Sequence, residues 1–266
     1  MKRRSSKALM AATLILSSSG VIAAPITTWT VDVTTIFDTS SVFPSTGITS
    51  SSTSLSWGSS NQSGIDISDS PSSTLVNTNG AAVGNVKITH RNQAISGTSL
   101  DSVNILSTLT LTPHTPSGGP SVGPNTIPFG VNFKETPNNA DPCADGGANG
   151  SDVNAAGCAD IFVIDKNSLN FEFFYDDIDG SGITGRSYFI SFFELTNGLN
   201  PLSNAACSAA GAANGCFGFE TPEGANTTFQ FASLITTERV GIPEPGILAL
   251  FGAALSALFF TRRRKT

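Results

Sequence analysis

Few residues of this 266-residue chain could do chemistry, and they are widely spaced. It has two histidines, His90 within Thr89-His90-Arg91-Asn92 and His114 between Pro113 and Thr115. His90 beside Arg91 has the makings of a base next to a cation, with Ser96 and Asp101 nearby in sequence, but no nucleophile and orienting acid stand at a spacing that completes a triad. The simpler reading is that Thr89, His90 and Asn92 tie a strand end to a loop through side-chain hydrogen bonds. Two histidines fall short of a three-histidine zinc site, and a two-histidine site with a carboxylate would need the loop around His114 to fold back on residues 89–92.

Carboxylates offer more. In Asp176-Asp177-Ile178-Asp179-Gly180-Ser181-Gly182, oxygen donors at Asp177, Asp179 and Ser181 with a permissive Gly182 reproduce the first half of a calcium loop. Tyr188 falls where the bidentate glutamate should stand, so the loop is either a weak structural calcium site or an acidic hairpin turn. Asp141, Asp145, Asp152 and Asp160 form a second acidic group, read as solvated loop charge or as a bridge through cations to an anionic polysaccharide. A glycosidase would need two carboxyls at a fixed separation across a cleft, which spacing along a chain cannot supply. The chain is therefore read as a non-enzyme without a cofactor beyond that candidate calcium.

Four cysteines allow three disulfide connectivities. Cys143 with Cys158 and Cys207 with Cys216 enclose short segments of Gly, Ala and Asn, which favours pairing between nearest neighbours. Their spacings do not fit a zinc ribbon.

The elements that must position these groups read as strands. Trp29, Val31 and Val33 alternate with Thr and Asp, and alternation returns around Ile65 and Ile67, Val86 and Ile88, and Leu109 and Leu111. Six further runs, including Phe171–Tyr175 and Tyr188–Phe193, hold most of the aromatic residues. Between the two ends of the chain, no stretch with a 3.6-residue period reaches two turns. The segment 113–128, with prolines at 113, 116, 120, 124 and 128, is expected to be a loop. Roughly ten to twelve short strands, divided by Gly, Pro and Asn, predict an all-β fold, an antiparallel β-sandwich or jelly-roll-like domain. No tandem repeat is present. Trp29, Trp57 and Tyr188 supply a discriminator. Lined up on an exposed face they would stack on sugar rings, and buried they would mark a structural component.

Both ends carry addressing features. Residues 1–24 have a basic start (Lys2, Arg3, Arg4, Lys7), an apolar stretch and a small-residue end before Pro25, the pattern of an N-terminal signal peptide. Residues 243–266 open with Pro243-Glu244-Pro245, continue as an apolar run and close on Arg262, Arg263, Arg264 and Lys265. The uncharged run 246–260 predicts a short C-terminal hydrophobic helix, below the roughly 20 residues of an ordinary membrane span. These two stretches hold eight of the 14 Lys and Arg residues. The domain between them, 25–242, is thus far more acidic than the whole-chain charge of −6 indicates. Such a domain has no electrostatic footprint for nucleic acid.

Pro243, Glu244 and Pro245 with the apolar run and basic stop resemble the PEP-CTERM sorting signal of Gram-negative bacteria. Thr89, His90 and Asn92 resemble the signature of the THxN family of PEP-CTERM proteins. The resemblance implies an exported protein, handled by the export translocon and an exosortase-like processing enzyme. It further implies a precursor held transiently in the inner membrane by a transmembrane helix, then release to the cell surface or the extracellular biofilm matrix. Its members have no assigned molecular activity, so the expected function is structural or interaction-based. An exopolysaccharide-associated carbohydrate-binding module is the alternative, and a polysaccharide hydrolase a distant second.

Overall fold

The computed structural model describes residues 25–164, 170–175, 185–196 and 200–241. Among them are fourteen strands: β1 (Thr28–Phe43), β2 (Ile48–Ser50), β3 (Ser54–Trp57), β4 (Ser63–Ser68), β5 (Ser72–Asn77), β6 (Val83–Arg91), β7 (Ser102–Thr115), β8 (Val122–Lys134), β9 (Asp160–Ile164), β10 (Phe171–Tyr175), β11 (Arg186–Glu194), β12 (Asn200–Pro201), β13 (Phe217–Thr221) and β14 (Asn226–Thr236). They form two seven-stranded antiparallel sheets, ordered β12-β13-β9-β8-β7-β1-β5 and β10-β11-β14-β6-β4-β3-β2, consistent with a β-sandwich. The strand alternation read from the sequence is what makes this arrangement possible. Along β1, Trp29, Val31, Val33 and Phe37 are buried, while Thr30 and Asp32 between them are less so. Each fully buried side chain of this kind contributes about 1.5–3 kcal/mol, and one continuous cluster joins the inner faces of both sheets.

The expected loop at 113–128 is largely strand. Only the stretch between Thr115 and Val122 turns, and Leu106, Ser107 and Thr108 pair with Pro128, Ile127 and Thr126. Proline cannot donate to a ladder, yet here it need not. Among the described residues β9 pairs with β8 only from Val131 to Lys134, so Pro124 and Pro128 sit where the outer side of β8 has no partner strand.

Cys143 is joined to Cys158 and Cys207 to Cys216, the nearest-neighbour pairing favoured above, and no free cysteine is left. The second bridge closes over the helix α1 (Asn204–Ala209), whose first turn is capped by Ser203 Oγ accepting from Ala206 N.

Among the described residues no helix is long and apolar enough to cross a membrane, and α1 has only six residues. Among the described residues, then, the expectation of a transmembrane helix, and of a membrane-held precursor that depends on one, is not met. Residues 1–24 and 243–266, with Pro243, Glu244, Pro245, Arg262, Arg263, Arg264 and Lys265, lie outside the described residues. So do Asp177, Asp179 and Ser181 of the acidic turn.

Candidate functional site

One end of the sandwich gathers several buried ionisable groups around His90 and Asp160. On β6, alternation sends His90 inward and Arg91 outward. Arg91 Nε donates to Asp66 Oδ2 on β4 (2.7 Å), so the two neighbours face different surroundings. Inside, the His90 ring packs against Phe162 (4.8 Å between centroids), Phe133 (5.5 Å) and Trp57 (6.0 Å). Burial, reinforced by the charge of Arg91, lowers its pKa to about 3, so the imidazole is neutral.

The tautomer follows from the contacts. Thr221 Oγ1 donates to the Asp160 carbonyl (3.4 Å) and stands 2.9 Å from His90 Nδ1. Its proton committed, Oγ1 accepts from Nδ1–H, and Nε2 keeps its lone pair. That lone pair faces Asp160 Oδ2 at 3.9 Å. Both atoms are buried and neither has a hydrogen-bond partner. Asn92, just past β6, donates from Nδ2 to the Thr221 carbonyl (3.0 Å). His90 and Asn92 thus clasp β6 of one sheet to β13 of the other through a single residue. Thr89 instead bonds Thr228 within its own sheet (2.9 Å).

Asp160 is a correction to the sequence reading. Asp141 and Asp152 are exposed loop residues, but Asp160 opens β9 and is fully buried. Glu135, just after β8, and Glu223, just after β13, join it. One oxygen from each of the three carboxylates lies within 4.8 Å of the others. Each carboxylate accepts a hydrogen bond from a neighbouring residue. Trp57 Nε1 donates to Glu135 Oε2 (2.9 Å), Thr136 N to Asp160 Oδ1 (2.9 Å), and the Asn138 amide to Glu223 Oε2 (2.9 Å). Gly157 makes room for this, since a Cβ there would press on Asn138 and Glu223 and its φ is +128°. The Cys143–Cys158 bridge holds the same loop closed.

Burial raises the pKa of all three acids. Desolvation dominates at each. Glu135 rises to about 7, with Trp57 opposing and Glu223 adding to the shift. Asp160 rises furthest, its burial compounded by the neighbouring carboxylates. Glu223 also rises, against hydrogen bonds from Gly224 and Asn138. Like charges this close in a dry site cannot all ionise; they carry protons or share a cation. Among the described residues, Glu135, Asp160 and Glu223 are placed to hold a metal, with His90 Nε2 beside Asp160.

His90 Nε2 faces a carboxylate and no nucleophile, and Thr221 on its other side is fully buried. The carboxyl oxygens are closer than the roughly 5–5.5 Å of a retaining glycosidase pair, and Asp160 faces no cleft. His114 is exposed on β7 beside Thr30 (3.5 Å) and takes no part. Trp29, Trp57 and Tyr188 are 0%, 1% and 0% exposed, so the sugar-stacking face looked for on them is absent. Trp29 instead packs edge-on against Tyr175 (5.1 Å) and Tyr188 (5.2 Å).

Sequence reasoning found His90 and Asn92 and counted Asp160 in the wrong setting. It missed Glu135, Glu223 and Thr221, which lie 45, 133 and 131 positions from His90 and share no local motif with it. No family model matches the chain, and no curated protein matches it.

Proposed function

We propose that this chain is a structural or interaction protein exported to the cell envelope or extracellular matrix, of the kind the THxN and PEP-CTERM resemblances imply, with Pro243-Glu244-Pro245 read by an exosortase-like enzyme. The observation that carries this reading is the closure of all four cysteines into two disulfides, because such bonds persist in oxidising compartments and not in a reducing cytosol. A core that absorbs every large aromatic of the discriminating set supports a scaffold role over a sugar-stacking one.

The test combines thiol trapping with mass spectrometry of the mature termini in each cell fraction. The expected result is an extracytoplasmic protein without free thiols, shortened near residue 24 and near residue 243. A cytosolic protein carrying four alkylated cysteines and intact termini would refute it.

A further inference from the structure

Three carboxylates and one imidazole converge where the sheets meet, and among the described residues no Lys or Arg forms an ion pair with them; Arg91, next to His90, is spent on Asp66. Oxygens on opposite sides of an ion bound at about 2.4 Å stand about 4.8 Å apart. The oxygens of Glu135, Asp160 and Glu223 fall within that span, so one ion can touch all three.

A second observation does not depend on the carboxylates clustering. His90 Nε2, on a side chain only 1% exposed, has no partner and points at Asp160 Oδ2, equally unpartnered, across 3.9 Å. Two buried acceptors aimed at each other repel. The distance exceeds the roughly 2.7–3.2 Å of a hydrogen bond, so a shared proton does not bridge it well. A cation on Asp160 Oδ2 would give that buried oxygen the partner it lacks. Each of the four groups also takes part in a hydrogen bond, with Trp57, Thr136, Asn138 and Thr221 respectively for Glu135, Asp160, Glu223 and His90, the kind of outer support that orients metal ligands.

We propose that Glu135, Asp160 and Glu223 bind one oxygen-seeking divalent cation, Ca²⁺ or Mn²⁺, that ties together the neighbouring ends of β8, β9 and β13, with His90 Nε2 packed beside Asp160. The donor set is dominated by hard oxygens, which select this class over softer ions. The half-buried Glu135 is the entry side, and Asp160 the closed floor.

The purified protein with both disulfides intact is stripped by a chelator, then titrated calorimetrically and melted with Ca²⁺, Mn²⁺, Mg²⁺ and Zn²⁺ in turn. One equivalent of Ca²⁺ or Mn²⁺ per chain is expected, with Tm raised by about 5 °C or more at a hundredfold excess over Kd. Asp160→Asn preserves size and the Thr136 bond, so its metal-free form should melt at or above the wild-type value yet show no cation response. Glu135→Gln at the rim, which tests the site should Asp160→Asn not fold, should weaken binding at least tenfold. A wild-type protein that answers to none of these ions at millimolar concentration, or to Zn²⁺ alone, overturns the proposal. So does binding that survives both substitutions, which would place the ion elsewhere, for instance at Asp177 and Asp179.

Discussion

Thr221 accepts a hydrogen bond from His90 Nδ1–H, donates its own hydroxyl to the Asp160 carbonyl and offers its carbonyl to Asn92. Thr221→Val keeps the shape and removes the hydroxyl, leaving His90 Nδ1–H buried and unpaired. A loss of about 1–3 kcal/mol is expected, measured by denaturant unfolding, with Thr221→Ser retaining most of the stability. On the outer face Asp66 behaves differently from the buried acids. Burial acts to raise its pKa, but the hydrogen bond and charge of Arg91 and the Ser54 hydroxyl outweigh it and hold the carboxyl below its ordinary value. A depressed carboxylate pKa gives stability that is present above the unfolded value, about 3.9, and lost as pH falls through the folded one. The pair is partly exposed, so the effect is small. Melts of wild type and Asp66→Asn should differ near pH 6 and converge below about pH 4. His90 and Asn92 could be singled out from the sequence because they stand together in a four-residue motif. Glu135 and Glu223 could not, because each ends a strand in an ordinary turn context and only the sandwich brings them to Asp160.

The strands were legible wherever one face is buried and the other wet, since that asymmetry writes a two-residue period into β1, β6 and β7. The first half of β8, residues 122–128, was not, because its prolines are breakers only in a strand flanked on both sides, and the flanking is a property of the finished sheet. β13 shows how tightly that sheet is drawn. A Cβ on Gly218 would collide with the carbonyl oxygen of Phe162 on β9, so Gly218→Ala should push β13 from its register and cost about 1–3 kcal/mol, visible as a lower midpoint in urea. The disulfides act on loops in place of strands. Replacing Cys143 and Cys158 together by Ala opens a loop whose ends are 15 residues apart, for which about 3 kcal/mol is expected. Because Cys158 N and Asn149 Nδ2 of that loop donate to the Asn138 carbonyl and the loop leads directly into Asp160, the same double variant should lose cation affinity, whereas the Cys207 and Cys216 pair replaced by Ala should lose stability alone.

Across the sandwich the two tryptophans mark opposite ends. Trp57 donates to Glu135 at the acidic cluster, and Trp29 donates to Thr78 Oγ1 (3.2 Å) near the start of β1. Trp29→Phe leaves Trp57 as the emitter and should give a fluorescence change on adding Ca²⁺ or Mn²⁺. Trp57→Phe leaves Trp29, whose emission should stay constant through the same titration. At the Trp29 end, the short segment Thr78–Asn79 clips both limits of the domain. Thr78 bonds Ile26 and Thr27, while Asn79 bonds Ile235 and Thr237. The chain therefore enters and leaves the sandwich over the same two residues. A tether attached at either limit, or at both, would pull through that clip without stretching the sheets, and the body would hang from it like a pendant, with the disulfide-bound, acidic end turned outward from whatever holds it.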